Sequence, residues 1–179
     1  MSSETVLLEQ RPAPLPVPLR LPAIRPLQLR DRAPLHQLLT KDGLFTREEI
    51  AVALELLDGA LADPGGEYRV LVAELAGENF PLAGYVCYGP TPMTDGTWDL
   101  YWIVTHPEAR KSGVARALVG RMEAELRALG ARLVRVETSR LDGYGAARAF
   151  YERLGYPVAA VISDFYRPGD DLLVICKRL

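Results

Sequence analysis

"WDLYWIVTHPEARKSGVARALVGRM", Trp98 to Met122, holds the turn on which the fold depends. Its first part, Trp98 to Thr105, is aromatic and β-branched, the composition of a strand. Further on, Val114, Leu118, Met122, Leu126 and Leu129 recur at helical spacing, and Gly130 supplies a C-terminal stop. The connection between them must reverse the chain in few residues. Its single glycine, Gly113, falls where the helix begins, with Arg110, Lys111 and Arg116 around it. A helix N-terminus already carries partial positive charge, so cations there are unfavourable unless something anionic sits among them. The first helical turn leaves N–H groups without partners, and a position with no side chain lets a ligand reach the backbone. These features predict a cradle for phosphate, with diphosphate fitting best. A triphosphate loop needs a lysine followed by Ser or Thr after the glycine, and a dinucleotide fingerprint needs three glycines; neither is present.

On the N-terminal side, "EYRVLVAEL" and "LAGYVCYG" read as two strands of a hairpin around Gly77, Glu78 and Asn79. Before them, "FTREEIAVALELLDGAL" reads as a helix. Thr46 and Glu49 fit a capping box, and Ile50, Ala53, Leu54, Leu57 and Leu61 form its apolar face. "AIRPLQLRD" reads as a first strand leading to a helix start at Asp31, with Pro34 tolerated in the first turn. On the C-terminal side, "RLVRVETS" is a strand and "GAARAFYERLG" a short helix. "YPVAAVISDFY" and "DLLVICKRL" are a closing antiparallel pair joined by "RPGD". The expected order is one strand, two helices, three strands, a helix, a strand, a helix and two strands. This is an α+β (mixed α/β) domain with a parallel crossover over residues 97 to 138. Residues 1 to 22, with Pro12, Pro14, Pro16, Pro18 and Pro22, form an expected tail, and residues 23–179 a single domain.

Composition narrows the function. With 49% hydrophobic and 25% charged residues the chain can build a core, and a net charge of -2 argues against a general nucleic-acid binder. Cys87 and Cys176 lie in apolar runs and read as buried thiols rather than a disulfide framework. No run approaches the roughly 20 apolar residues of a membrane span, and no signal peptide is visible, so a soluble cytoplasmic protein is the expectation. No metal, nucleic-acid or membrane signal is present, and a homodimer is allowed but not specified.

The run "LYWIVTHPEARKSGVARAL" resembles the acetyl-coenzyme A signature of the GNAT superfamily of N-acetyltransferases: Arg or Gln, two residues, Gly, one residue, then Gly or Ala. Arg110, Gly113 and Ala115 meet it. Downstream, "AARAFYERLGY" resembles the family's second motif, a Phe-Tyr pair on a helix ahead of Leu-Gly-Tyr. The resemblance covers roughly residues 67 to 178. It implies the GNAT-like acyl-CoA N-acyltransferase fold, with a mostly antiparallel sheet of about seven strands and about four helices. By position it implies that the main chain of Ile103, Val104 and Thr105 pairs with the pantetheine arm. The segment Arg110, Lys111, Ser112, Gly113, Val114, Ala115 and Arg116 cradles the diphosphate. A splay beside the central strand, made by a bulge, opens the slot.

The implied reaction moves an acetyl group from acetyl-CoA to a primary amine of a small molecule or peptide, by direct attack in a ternary complex. An alkylammonium has a pKa near 10.4 and must first lose a proton. Glu137 and Asp99 occupy positions where family members place a base, and a water chain is the third option. A backbone N–H near Val104 or Thr105 would stabilise the oxyanion. Tyr151 matches the tyrosine that protonates the departing thiolate. Where members often carry asparagine seven residues earlier, this chain has Tyr144. The acceptor pocket is expected between the first two helices and the last hairpin, with Phe45 and Tyr166 as substrate-binding residues and Glu48, Asp164 and Asp170 nearby. These suit a cationic acceptor. His106 reads as a turn residue and His36 as surface. The alternative is a non-catalytic acetyl-CoA-binding sensor acting through the proline-rich tail.

Overall fold

The computed structural model describes residues 21–41, 43, 45–76 and 80–179. Its elements are β1 (Ala23–Pro26), α1 (Arg32–Thr40), α2 (Arg47–Ala62), β2 (Arg69–Glu74), β3 (Gly84–Pro90), β4 (Thr97–Thr105), α3 (Val114–Ala128), β5 (Leu133–Ser139), α4 (Gly145–Arg153), β6 (Val158–Arg167) and β7 (Asp170–Arg178). The order matches the sequence reading throughout. The turn at Gly77–Asn79 and residues 1–20 of the expected tail lie outside the described residues.

The strands form one sheet in the order β1-β2-β3-β4-β5-β7-β6. Each pair is antiparallel except β4 with β5, which the α3 crossover makes parallel. Side chains alternate faces along a strand, and each face has its own core. Val70, Val72, Tyr85 and Cys87 meet Leu35, Leu39 and Leu57 of α1 and α2. Leu71, Val86 and Tyr88 meet Val114, Leu118, Met122 and Leu126 of α3. Cys87 is fully buried, which pushes its thiol up to about 12, whereas Cys176 is only half-buried. The reading of two buried thiols is corrected for Cys176, which lies near the C-terminal end of β7.

Local signals act where the sequence places them. The Thr46 hydroxyl accepts from Glu49 N, and the Glu49 carboxylate accepts from Thr46 N at 2.7 Å, closing the capping box of α2. On α3, the buried Glu123 accepts from Tyr156 Oη (2.9 Å) and Lys177 Nζ (2.8 Å), tying the helix to β7 and to the turn after α4. Gly120 is exposed in mid-helix, and a Cβ there would meet nothing within 4 Å. Replacing Gly120 with alanine should therefore stabilise the protein by roughly 0.5–1 kcal/mol through lost unfolded-state entropy. Differential scanning calorimetry should show a Tm rise of roughly 1–4 °C.

One irregularity shapes the sheet. β4 pairs with β5 only from Thr97–Leu133 to Asp99–Arg135. β4 continues against β3 to Thr105, and β5 against β7 to Ser139. Beyond Asp99 the two central strands part. In the β3–β4 ladder Cys87 faces Trp102 but Tyr88 faces Leu100, so Tyr101 is the extra residue of a bulge. A bulge bends and twists its strand, here at the point where the separation begins.

Candidate active site

The parting of β4 and β5 opens a cavity of about 490 Å³. Leu100 to Ile103 line one side and Val136 to Ser139 the other, with Tyr151 of α4 on its wall. Phe45, Glu49, Tyr144, Tyr166, Arg167 and Asp170 are also part of the lining. The β4 edge facing this gap is unpaired beyond Asp99. His106 N donates to Ala83 O at 2.8 Å, which fixes the phase of the ladder. By alternation Val104 turns its N–H and C=O toward β3, while Ile103 and Thr105 present theirs to the gap. A strand-like ligand can thus pair with Ile103 and Thr105. Val104, expected to share in this, has its polar backbone committed to the sheet.

At the open end of β4 the chain makes a single 3₁₀ turn, Pro107–Ala109, and enters α3. His106 caps that turn, its Nδ1 accepting from Glu108 N, and its ring stacks on Phe80 at 4.0 Å. His36 is exposed. Two residues of the connection are left-handed, Lys111 (φ 64°) and Gly113 (φ 90°). The first intrahelical bond runs from Ala117 N to Gly113 O. The amides of Gly113, Val114, Ala115 and Arg116 precede it and have no carbonyl within the helix to bond. The side chains of Arg110, Lys111 and Arg116 are exposed around them. Ser112 behaves differently from its neighbours, since both its N–H and its hydroxyl donate back to Ala109 O. It shapes the turn rather than offering a donor. No atom lies within 4 Å of where a Gly113 Cβ would stand, so the backbone there is open to approach.

This arrangement is a slot flanked by strand-edge backbone and ending at helix-terminal amides. It fits a ligand with an extended polar arm and an anionic head. The acetyltransferase (GNAT) family model matches residues 32–156. A protein from Desulfovibrio desulfuricans assigned to that family is 39% identical, with a TM-score of 0.82 over 88% of this chain and 99% of its own. The chain belongs to the GNAT acetyltransferase family. Two more distant structures share the fold. A Salmonella typhimurium protein solved with its cofactor acetyl-CoA is 21% identical (TM-score 0.68; 89% of this chain, 94% of its own). A ribosomal-protein-alanine N-acetyltransferase from Brucella melitensis is 20% identical (TM-score 0.68; 88% and 99%).

Within this GNAT fold the expected side chains divide. Tyr151 is 4% exposed, touches Phe150 and Tyr156 edge-on, and has no hydroxyl hydrogen bond to any described residue. Burial pushes its phenol above the ordinary tyrosine value. Glu137 lines the cavity and is 43% exposed at its side chain. Asp99 does not line it. It is buried below the fork, accepting from Arg135 Nε at 2.5 Å and from Thr91 Oγ1 at 2.8 Å. That pairing holds the Arg135 guanidinium above its ordinary value, and the same guanidinium reaches Glu137 Oε1 at 3.5 Å. Phe45 and Tyr166 line the cavity as expected, with Phe45 5.3 Å from Trp102.

Two neighbours are corrected. Glu49, not Glu48, faces the cavity, because one residue along a helix turns a side chain by roughly 100°. Asp164 is absent from the lining and accepts from Gly169 N across its own turn. Asp170 is present, its carboxylate accepting from Ser139 Oγ at 2.5 Å. Sequence reading missed Ser139, Trp102 and Arg135. Among the described residues no group of His, Cys, Asp or Glu is placed to hold a metal ion, and no helix is long and apolar enough to cross a membrane.

Proposed function

We infer that the protein transfers an acetyl group from acetyl-CoA to a primary amine of a small molecule or peptide. The observation carrying this reading is the one-sided β4 edge that ends at the Gly113–Arg116 amides. It fits the bound group on two counts. Ile103 and Thr105 can hold an amide-bearing arm as a further strand would, and the open backbone at Gly113 admits a diphosphate. Family membership and a similar fold solved with acetyl-CoA support the same donor. Bound there, acetyl-CoA supplies the activated acyl group and a thiolate leaving group.

The chain's residues have separate tasks. An outward N–H at Ile103 or Thr105 donates to the acyl oxygen as negative charge develops on it. Glu137 accepts the proton that the acceptor ammonium must lose. The Tyr151 hydroxyl, kept protonated by burial, gives its proton to the departing sulfur. Asp99 keeps Arg135 in place below the fork and acts on the cavity only through it. Phe45, Tyr166 and Asp170, with Glu49, favour a cationic acceptor.

Free-thiol release from acetyl-CoA over a panel of diamines, amino sugars and peptides tests the reaction. Turnover with at least one amine is expected. Thermal stabilisation by acetyl-CoA with no thiol release on any amine would favour the sensor, and no stabilisation at saturation would count against both. Once an acceptor is known, Glu137→Gln should lower kcat/KM about tenfold at neutral pH. The deficit should shrink as pH rises toward 10, because more of the amine is then already unprotonated. A pH-independent deficit, or none, would assign the proton to water instead.

A further inference from the structure

We propose that the acceptor is a linear diamine, with one amine at Glu137 and the second ammonium seated on Asp170, which makes Asp170 a specificity-determining residue. The inference rests on the acetyl-transfer reading above and concerns the same cavity. Asp170 lines that cavity although its side chain is only 8% exposed. A carboxylate withdrawn from water to that degree calls for partners at both oxygens. Oδ1 has one, the Ser139 hydroxyl at 2.5 Å. Oδ2 accepts no hydrogen bond from the described residues. The cation paired with it, Arg167 Nε, stands 3.8 Å away on a side chain that is 69% exposed. Glu49 is half-engaged in the same manner: its Oε2 accepts from Thr46 N at 2.7 Å, and its other oxygen accepts from no described residue.

Charge, aromatic faces, spacing and wall chemistry together select a diamine. Glu49, Glu137 and Asp170 share the lining with one cation, Arg167, which leaves a formal charge of -2 for a dication to balance. Arg135, which also reaches Glu137, lies outside the lining and is matched by Asp99. Two phenols stand among the carboxylates. Burial, with Glu49 and Asp170 nearby, holds the Tyr144 hydroxyl above its ordinary value, and burial with Glu137 and Asp170 does the same for Tyr166. Both rings are exposed and can offer a face to an ammonium. Glu137 and Ser139 are two residues apart on β5, so their side chains leave one face of the strand roughly 7 Å apart. Ser139 carries Asp170 on its hydroxyl. With carbon–carbon bonds of about 1.5 Å, an extended chain of about four or five methylenes separates two nitrogens by that distance. Leu100, Val136, Ala147 and Phe150 make the remaining wall apolar. That wall suits methylenes and would leave the hydroxyls of a sugar unpaired. In the reaction one nitrogen gains the acetyl group as the thioester C–S bond breaks, its proton passing to Glu137 while Tyr151 protonates the sulfur. The second ammonium stays charged on Asp170. Turned end for end, the product would set a neutral acetamide against Asp170, so each diamine is acetylated once.

Thiol release on the full chain should give linear diamines of four and five carbons a kcat/KM about 50-fold above the monoamines of the same length. This exceeds the statistical advantage of carrying two amines. The two-carbon diamine, too short to reach both carboxylates, should fall to the monoamine level. Asp170→Asn keeps an acceptor for Ser139 and removes the charge, and should cut the preference to about fivefold or less with circular dichroism unchanged. Titration calorimetry on the chain saturated with CoA reads the seat without turnover: the four-carbon diamine should bind, and Asp170→Asn should weaken it about tenfold or more. Should Asp170→Asn fold poorly, the chain-length series on the wild-type chain decides. Equal turnover of monoamines and diamines, a preference indifferent to chain length, or accumulation of a doubly acetylated product would overturn the diamine and leave acetyl transfer standing. Diamine binding that depends on Asp170 but releases no thiol would overturn acetyl transfer and keep the seat. A chain that neither binds the four-carbon diamine nor prefers it would overturn the proposal itself.

Discussion

Tyr151→Phe should lower kcat by about 100-fold and leave the KM for acetyl-CoA nearly unchanged. The substitution removes one hydroxyl and little else. That hydroxyl bonds no described residue, so its loss strands no buried partner, and the ring contacts with Phe150 and Tyr156 remain. Stability should therefore change by less than about 1 kcal/mol, which separates a proton-donating role from a packing role. The pH profile gives a second reading. Burial raises the phenol above its ordinary value near 10, so the acid form persists through neutral and moderately alkaline pH. The wild-type rate should show no alkaline fall from tyrosine ionisation below pH 10. A normal kcat in Tyr151→Phe, measured by thiol release at saturating substrates, would leave Tyr151 as a packing residue and pass the proton to water.

The legible parts of this molecule are those written in neighbouring residues. The Thr46–Glu49 box and the left-handed Gly113 are local devices, and each sits where its spelling places it. The Tyr151 motif is also local, and its helix delivers the side chain to the cavity wall. What could not be read depends on pairing between distant segments. Nothing in "RVETS" or "DLLVICKRL" says that β7 intervenes between β5 and β6, and it is that insertion which leaves β6 at the edge. Asp99 and Glu137 are both carboxylates on adjoining strands, and the sequence alone does not separate their surroundings. The fork separates them, since Asp99 lies at the last paired position and Glu137 beyond it. Ser139 gains its place only because Asp170 arrives 31 residues later to accept a hydrogen bond from its hydroxyl. The sequence does not separate Val104 from Ile103 and Thr105, because the alternation has a period but no phase until a partner strand supplies one.

Gly113→Val should weaken acetyl-CoA binding about 10- to 100-fold, and the reason is backbone geometry rather than crowding. A Cβ at Gly113 meets no protein atom within 4 Å, so packing does not forbid a side chain. The obstacle is φ, which is 90° at this N-cap position, where a β-branched residue is strained by roughly 1–2 kcal/mol. Relief of that strain must rotate the peptide that presents the Gly113 and Val114 amides, and the isopropyl group would stand in the open space through which an anion approaches. Both effects act on the bound state, so the loss should appear in Kd by titration calorimetry. It should be greater for acetyl-CoA than for a dephosphorylated pantetheine thioester, which lacks the diphosphate. Gly113→Asn provides the control, because asparagine tolerates left-handed backbone and should retain more affinity than valine. Equal losses for the two donors in Gly113→Val would mean that the turn supports the β4 edge alone and that the anion is held elsewhere. A selective loss ties the four helix-terminal amides to the diphosphate, and with it explains why three exposed cations gather at the end of a helix that its own dipole would keep clear of them.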